Sequence, residues 1–253
     1  MVAPIVVPSK PPFGTTVLWG KRKCGKTLAA LNSPWAPVHI IDIEDSSADY
    51  ETHMLRLIEM GIIHDKFTRA DCPTYASVGQ EFLRIVGTEK APSKIHYGTI
   101  VIDTVGQLSS WIGENEFAKP NAQSMSQVTW GRIRDRLRNM LIQLSAHCDY
   151  VVLCAHERVY NNVYSPRANP AILELASISI RLNREANVPI PDGTIDVARL
   201  PFFPPRIPKF TITKLLDYIQ KPANWEKLNE EEKATPESTT ASPEFNEEAS
   251  YSS

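Results

Sequence analysis

The chain has 253 residues, 42% of them hydrophobic and 22% charged, with a formal net charge of −2. That balance describes an ordinary globular protein with one substantial core and room for a small appendage. It excludes a membrane span, because no apolar run approaches the roughly 18 residues a crossing helix needs. The first eight residues lack the basic and continuous apolar regions of a secretory signal. Cys24, Cys72, Cys148 and Cys154 share no C-x-x-C spacing, which argues against zinc or a disulfide framework and suits the cytosol. The expected location is therefore cytoplasmic. Residues 226–253 carry a local charge of −6, leaving +4 on residues 1–225. A mildly basic body with an acidic tail is compatible with work on nucleic acid.

In chain order, residues 1–12 hold four prolines and read as an extended arm. The core begins near Phe13, with a β-branched and aromatic strand over 15–19. Residues 20–27, Gly-Lys-Arg-Lys-Cys-Gly-Lys-Thr, fit the phosphate-loop pattern G-x-x-x-x-G-K-[ST], and good helix formers follow at 28–31. Asn32-Ser33-Pro34 stops that helix. A second strand over 38–44 ends in acidic residues. Residues 48–60 read as a helix with Tyr50, Met54, Leu57 and Ile58 on one face. A short strand at 67–70, a helix over 75–86 and a strand over 97–104 follow. Residues 114–126 read as an irregular functional loop.

From 128 to 147, Ile133, Leu137, Met140, Leu141 and Leu144 recur at helical spacing and predict an amphipathic helix. A buried strand over 150–155 delivers His156 and Glu157. Residues 158–170 are polar and turn-rich, and 172–184 offer a helix or a strand. The proline-rich 189–208 is expected to wander over the surface, and 211–220 to form a final helix docked on the core. The Glu-, Ser-, Thr- and Pro-rich tail from Glu226 reads as disordered. The resulting division is an arm (1–12), an α/β core with a mainly parallel sheet covered on both faces (13–188), a proline-rich segment with a small C-terminal helix (189–225) and an acidic tail (226–253).

In open α/β sheets, ligands bind at the carboxyl ends of the strands. The backbone N–H groups of Gly20, Lys21, Arg22, Lys23, Cys24 and Gly25 would cradle phosphate oxygens. Lys26 would reach the β- and γ-phosphates of ATP, and the Thr27 hydroxyl would sit on Mg2+. Lys21, Arg22 and Lys23 stand where small residues are common; they either add charge near the phosphates or point to solvent. Cys24 reads as a passive small residue. Asp103, at a strand end, is the second candidate for holding Mg2+. Glu44 is the candidate general base that positions water, although Asp42, Glu44, Asp45 and Asp49 would also make a solvated acidic turn. His156 is placed to contact the γ-phosphate or the attacking water, with Glu157 as the alternative at that strand end. A structural histidine is the plainer reading.

This order of motifs resembles the RecA-like recombinase ATPases. In that family a phosphate loop precedes an Asp-x-Glu unit, matched here by Asp42-Ile43-Glu44, whose Glu is the base. An aspartate-ending strand follows, matched by Asp103 with Thr104 after it. A polar sensor, usually Gln, ends the next strand; here His156 stands in its place. Ala155-His156-Glu157-Arg158, and Lys221-Pro222-Ala223-Asn224-Trp225 after a proline-rich segment, look like the compact phage and prophage nucleotide-binding proteins, some of which are single-strand annealing recombinases. The resemblance covers 13–185 well and the rest loosely.

What the resemblance implies is an ATP- and Mg2+-dependent ATPase acting on single-stranded DNA, with ATP sites between subunits of a homo-oligomer in a bacterial or phage-infected cell. It implies DNA-contacting loops after the Asp103 strand–helix unit and after the His156 strand. The second loop holds Arg158, Tyr160, Asn161, Asn162, Tyr164 and Arg167, and such mixtures of cation and aromatic suit single strands. Arg132, Arg134, Arg136 and Arg138 read as a solvated helix face. The acidic tail would compete for the DNA site, recruit a replication or recombination protein, or simply solubilise the chain. Two other functions remain in view. A nucleotide-dependent switch or loader would use the tail and the proline-rich segment as interaction surfaces. A small-molecule phosphotransferase would need an arginine-bearing lid, and residues 114–126 contain only Lys119.

Overall fold

β1 (Thr16–Gly20) is buried at all five positions, as a β-branched and aromatic run flanked on both edges must be. It lies in a computed structural model that describes residues 7–12, 14–118, 127–184, 191–198 and 206–220. The acidic tail, the first six residues and much of the proline-rich stretch lie outside the described residues.

From β1 the chain continues through α1 (Lys26–Leu31), β2 (Val38–Asp42), α2 (Ala48–Thr52), α3 (Met54–Glu59), β3 (Phe67–Asp71) and α4 (Tyr75–Val86). A two-residue pair, β4 (Gly87–Thr88) and β5 (Ala91–Pro92), leads to β6 (Tyr97–Asp103), α5 (Val105–Phe117) and α6 (Gln127–Ser145). Then come β7 (Cys148–Tyr160), β8 (Val163–Pro166), α7 (Pro170–Leu175), β9 (Ile178–Asn183), β10 (Asp192–Ala198), β11 (Arg206–Ile207) and α8 (Ile212–Gln220).

Among the described residues one sheet has the order β11-β10-β9-β1-β7-β6-β2-β3, with β8 paired to β7 off that path. From β9 to β3 every pairing is parallel, while β10 and β11 close one edge antiparallel. β7 separates the phosphate-loop strand β1 from β6, so the two strand ends expected to hold nucleotide and metal are one strand apart. The strict alternation of strand side chains splits the core into two layers. Leu18, Ile40, Val101, Val152 and Ile180 face α1 and α8. Val17, Trp19, Ile41, Ile102 and Leu153 face α4, α5, α6 and α7. The α6 stripe packs as its spacing predicts: Ile133, Leu137, Leu141 and Leu144 are buried, with Met140 at the margin.

Four expectations need correction. The helix over 48–60 is two short helices that break at His53, whose φ/ψ of −107°/15° leaves the α basin. The face of Tyr50, Met54, Leu57 and Ile58 nevertheless packs on the core. The first part of the loop expected over 114–126 is helical, because α5 runs through Phe117 and buries Ile112 and Glu116; residues 119–126 lie outside the described residues. The turn-rich 158–170 is largely a hairpin: β7 runs on past His156 to Tyr160 and pairs antiparallel with β8. Finally, 189–208 is not all surface meander. Asp192 to Ala198 pairs with β9, because its Thr-Ile-Asp-Val core is strand-forming despite the prolines around it.

Candidate functional site

Local backbone conformation shapes the phosphate loop. Gly20 has φ +153°, and a Cβ there would lie 2.4 Å from the Leu182 carbonyl oxygen and 2.9 Å from Cys24 Sγ. Only glycine lets the loop leave β1 this close to β9. α1 then starts from Gly25, itself left-handed at φ 94°. Lys26 is buried and folds its ammonium back over the loop, donating to the carbonyls of Lys21 (2.8 Å) and Gly20 (3.3 Å). The loop thus holds its lysine in a preformed pose at the mouth of the cradle. Arg22 and Lys23 also line the cleft, whereas Cys24 is buried beneath it. Burial pushes the Cys24 thiol up against the pull of Lys26, which makes it an inert filler rather than a reactive cysteine.

Thr27 and Asp103 meet. Thr27 Oγ1 donates to Asp103 Oδ2 at 2.5 Å, and Ser46 Oγ donates to the same oxygen at 2.7 Å. Asp103 is almost wholly buried, and burial raises its pKa more than the bonds from Thr27 and Ser46 lower it. A dehydrated carboxylate flanked by hydroxyl oxygens is a hard-ligand site short of positive charge, which fits Mg2+. Among the described residues no group of three or more His, Cys, Asp and Glu could hold a metal.

Asp42, the aspartate of the Asp-x-Glu unit and a member of the expected acidic turn, anchors that turn. Its Oδ2 accepts from Ser47 Oγ (2.6 Å), Ser47 N (2.9 Å) and Arg69 Nε (3.0 Å), and its Oδ1 from Ser46 N (3.0 Å). Burial pushes Asp42 up, but the bonds from Ser47, Arg69 and Ser46 outweigh it and hold the carboxyl below its usual value. Arg69 also pairs with Asp45, Glu51 and Asp71. Arg69 thus ties the acidic turn together, and Glu44 lines the cleft beside Asp45 and Asp49.

Both carboxylate oxygens of Glu44 are occupied. Oε1 accepts from Thr104 Oγ1 at 2.8 Å, and Oε2 accepts from His156 Nε2 at 2.7 Å. Arg22 approaches to 4.0 Å. The His156 bond, ahead of the opposing effect of burial and the help of Thr104, pulls the Glu44 pKa down to about 2. Among the described residues His156 Nδ1 is buried without a hydrogen-bond partner, so the ring is held mainly through Glu44.

Lys26, Thr27, Glu44, Asp103 and His156 all line one cleft of about 860 Å3. Sequence reasoning missed Ser46, Thr104, Gln107, Trp111, Tyr50 and Arg184, which line it too. Gln107 and Trp111 sit one turn apart on α5, the helix that Asp103 launches, and that spacing was the available signal. The guanidinium of Arg184, just past β9, reaches the Lys23 carbonyl at 3.4 Å. Glu157, the alternative to His156, turns away from the cleft and pairs with Arg181.

Arg158, Tyr160, Tyr164 and Arg167 lie apart from the cleft lining, on the β7–β8 hairpin and its exit. Asn161 and Asn162 form its tip with φ 49° and 58°, the left-handed pair that a two-residue hairpin turn requires. The four basic residues of α6 are exposed as expected, with Arg136 paired to buried Glu116 at 3.0 Å.

A family model described as an AAA domain matches residues 14–171. No curated protein sequence matches. Among solved structures, the crystal structure of the RadB recombinase superposes with a TM-score of 0.46 at 14% identity, covering 76% of this chain and 83% of that chain.

Proposed function

The chain belongs to the AAA-domain family, whose model spans residues 14–171, and from that premise we propose that it is an ATPase that acts on single-stranded DNA. The observation carrying the reading is the 2.5 Å bond from Thr27 to buried Asp103, with Glu44 beside it. It joins the phosphate loop and two other strand ends into one hard-ligand, anion-accepting cleft. Residues 20–27 bind the triphosphate through backbone N–H groups, and Lys26 swings from the loop carbonyls to phosphate oxygens. Thr27 and Asp103 hold Mg2+, which when bound neutralises developing phosphate charge. Glu44 orients water, and His156 governs when it does so.

The hairpin is the DNA-facing element of this proposal. Tyr160 is 71% exposed, and Arg158 stands on the same strand face two residues away. The aromatic supplies stacking and the cation supplies phosphate contact. Phage-type recombination or annealing, with ATP sites shared between subunits of a homo-oligomer, is the role this arrangement suits. A recombination or replication partner for the acidic tail belongs to the same reading.

One observation favours a second reading, the nucleotide-dependent switch or loader. With both Glu44 oxygens engaged, the resting site is not poised for rapid turnover. Measuring ATP turnover with and without oligothymidine, alongside Lys26→Ala and Glu44→Gln, separates the two. Stimulated turnover that both substitutions abolish supports the ATPase. ATP binding without turnover in any condition leaves the switch. Turnover unaffected by Lys26→Ala overturns the site itself.

A further inference from the structure

β7 outruns the sheet. Beyond His156 the hairpin projects with Val159, Tyr160, Val163 and Tyr164 all exposed. Cross-strand register places Tyr160 opposite Val163 and Arg158 opposite Ser165 on one face, with Val159 opposite Tyr164 on the other. A two-stranded ribbon alone is marginal in water, so its direction must be fixed by contacts at its root. One is the Arg167 N–H donating to the His156 carbonyl at 2.7 Å. The other is a side chain from β9.

Arg181 aligns with Trp19 in the parallel register of β9 and β1. Its Nε and Nη2 donate to Glu157 Oε2 at 3.0 and 2.7 Å. The Glu157 side chain is only 7% exposed, so this ion pair is substantially dehydrated. The guanidinium also lies 4.1 Å from the Tyr164 ring centroid and 5.4 Å from that of Trp19. Asp196 on β10 adds a second carboxylate within its electrostatic reach. One planar cation therefore touches both strands of the hairpin and the strand that enters the phosphate loop.

We infer that Arg181 is a clasp, a positioning residue that sets the stance of the hairpin against the phosphate-loop strand. It engages the Val159/Tyr164 face and leaves the Arg158/Tyr160/Val163 face to meet a single-stranded nucleic acid. That choice of ligand rests on the proposed function; the clasp itself does not. Lysine cannot replace it, having neither the fork for the carboxylate nor the flat surface for the ring.

Amide hydrogen exchange on the full chain tests the clasp. In Arg181→Ala, exchange at 157–166 rises about tenfold or more while the amides of β6 and β2 keep wild-type rates. Arg181→Lys restores only part of the protection. Glu157→Gln loosens the same segment from the other side, and serves where Arg181→Ala fails to fold. Unchanged exchange at 157–166 in these variants overturns the clasp, as does an equal rise across every strand. Oligothymidine binding, read by fluorescence anisotropy, is expected to weaken about tenfold in Arg181→Ala. If the hairpin loosens as expected but the wild type binds no oligothymidine with ATP or ADP, the clasp stands and the nucleic-acid reading falls.

Discussion

Glu44 shows what single residues contribute here. A carboxylate held at about pH 2 by His156 accepts a proton poorly, so its use in the resting site is to orient and not to titrate. Because its folded value lies below its usual 4.5, its contribution to stability is complete above about pH 4.5 and is lost as the pH falls towards 2. The stability gap between wild type and Glu44→Gln is therefore expected to shrink over that interval, as measured by urea unfolding at several pH values. In His156→Ala the same gap closes at higher pH, because the main cause of the shift is gone. Lys26→Ala is expected to weaken ATP binding at least about tenfold, measured by calorimetry, since hydrogen bonds to charged groups contribute about 1.5–3 kcal/mol. Lys26, Thr27, Glu44, Asp103 and His156 were legible because each sits in a motif or at the end of an apolar strand. Ser46 was not, because its place comes from a turn pinned by Asp42 and Arg69, residues 27 apart in sequence; Thr104 was visible only as the residue after Asp103, and its bond to Glu44 joins two strand ends 60 residues apart.

At the scale of elements, long periodic patterns survived, as did the short strand over 67–70, while the hairpin and β10 escaped notice. α6 follows from its stripe alone. The hairpin was hidden because Asn-Asn is a weaker turn signal than Asn-Gly, and its apolar arms, Val159-Tyr160 and Val163-Tyr164, are only two residues long. β10 was hidden by prolines on either side of a strand-forming run. The hairpin's exit is fixed by a further contact that only the fold reveals. A Cβ on Gly106, in the first turn of α5, would lie 2.6 Å from the Arg167 carbonyl oxygen. Gly106→Ala must push that backbone away, and overpacking of this kind costs about 1–3 kcal/mol. Gly79 in α4 is the contrasting case, since a Cβ there meets nothing within 4 Å. Gly79→Ala is expected to stabilise the chain by about 0.5–1 kcal/mol through helix propensity. Thermal melts of the two variants should therefore move in opposite directions.

At the scale of the whole molecule, the family match and the folded unit do not coincide. The match ends at residue 171, yet β9, which flanks the phosphate-loop strand, spans Ile178–Asn183. Leu182 supplies the carbonyl against which Gly20 closes the loop. Farther on, Phe210, Ile212, Leu215 and Leu216 are buried in the same layer as Leu18, Ala30 and Ile180. The docked final helix was legible in the sequence, but its role as part of the layer beneath the nucleotide cleft was not, since that depends on which face of the sheet the chain returns to. The apolar face of α8 is covered by this packing, and no helix among the described residues is long and apolar enough to cross a membrane. Leu216→Ala removes a side chain with 0% exposure, and such truncations cost about 2–5 kcal/mol. It should lower the urea midpoint without changing the slope, because the surface exposed on unfolding is nearly the same. A fragment ending at residue 171 leaves β1 without its β9 neighbour and one layer without α8. It is expected to lack a cooperative unfolding transition by circular dichroism, and to bind no ATP. A fragment that unfolds cooperatively and binds ATP would show that β9 and α8 are dispensable to the cleft.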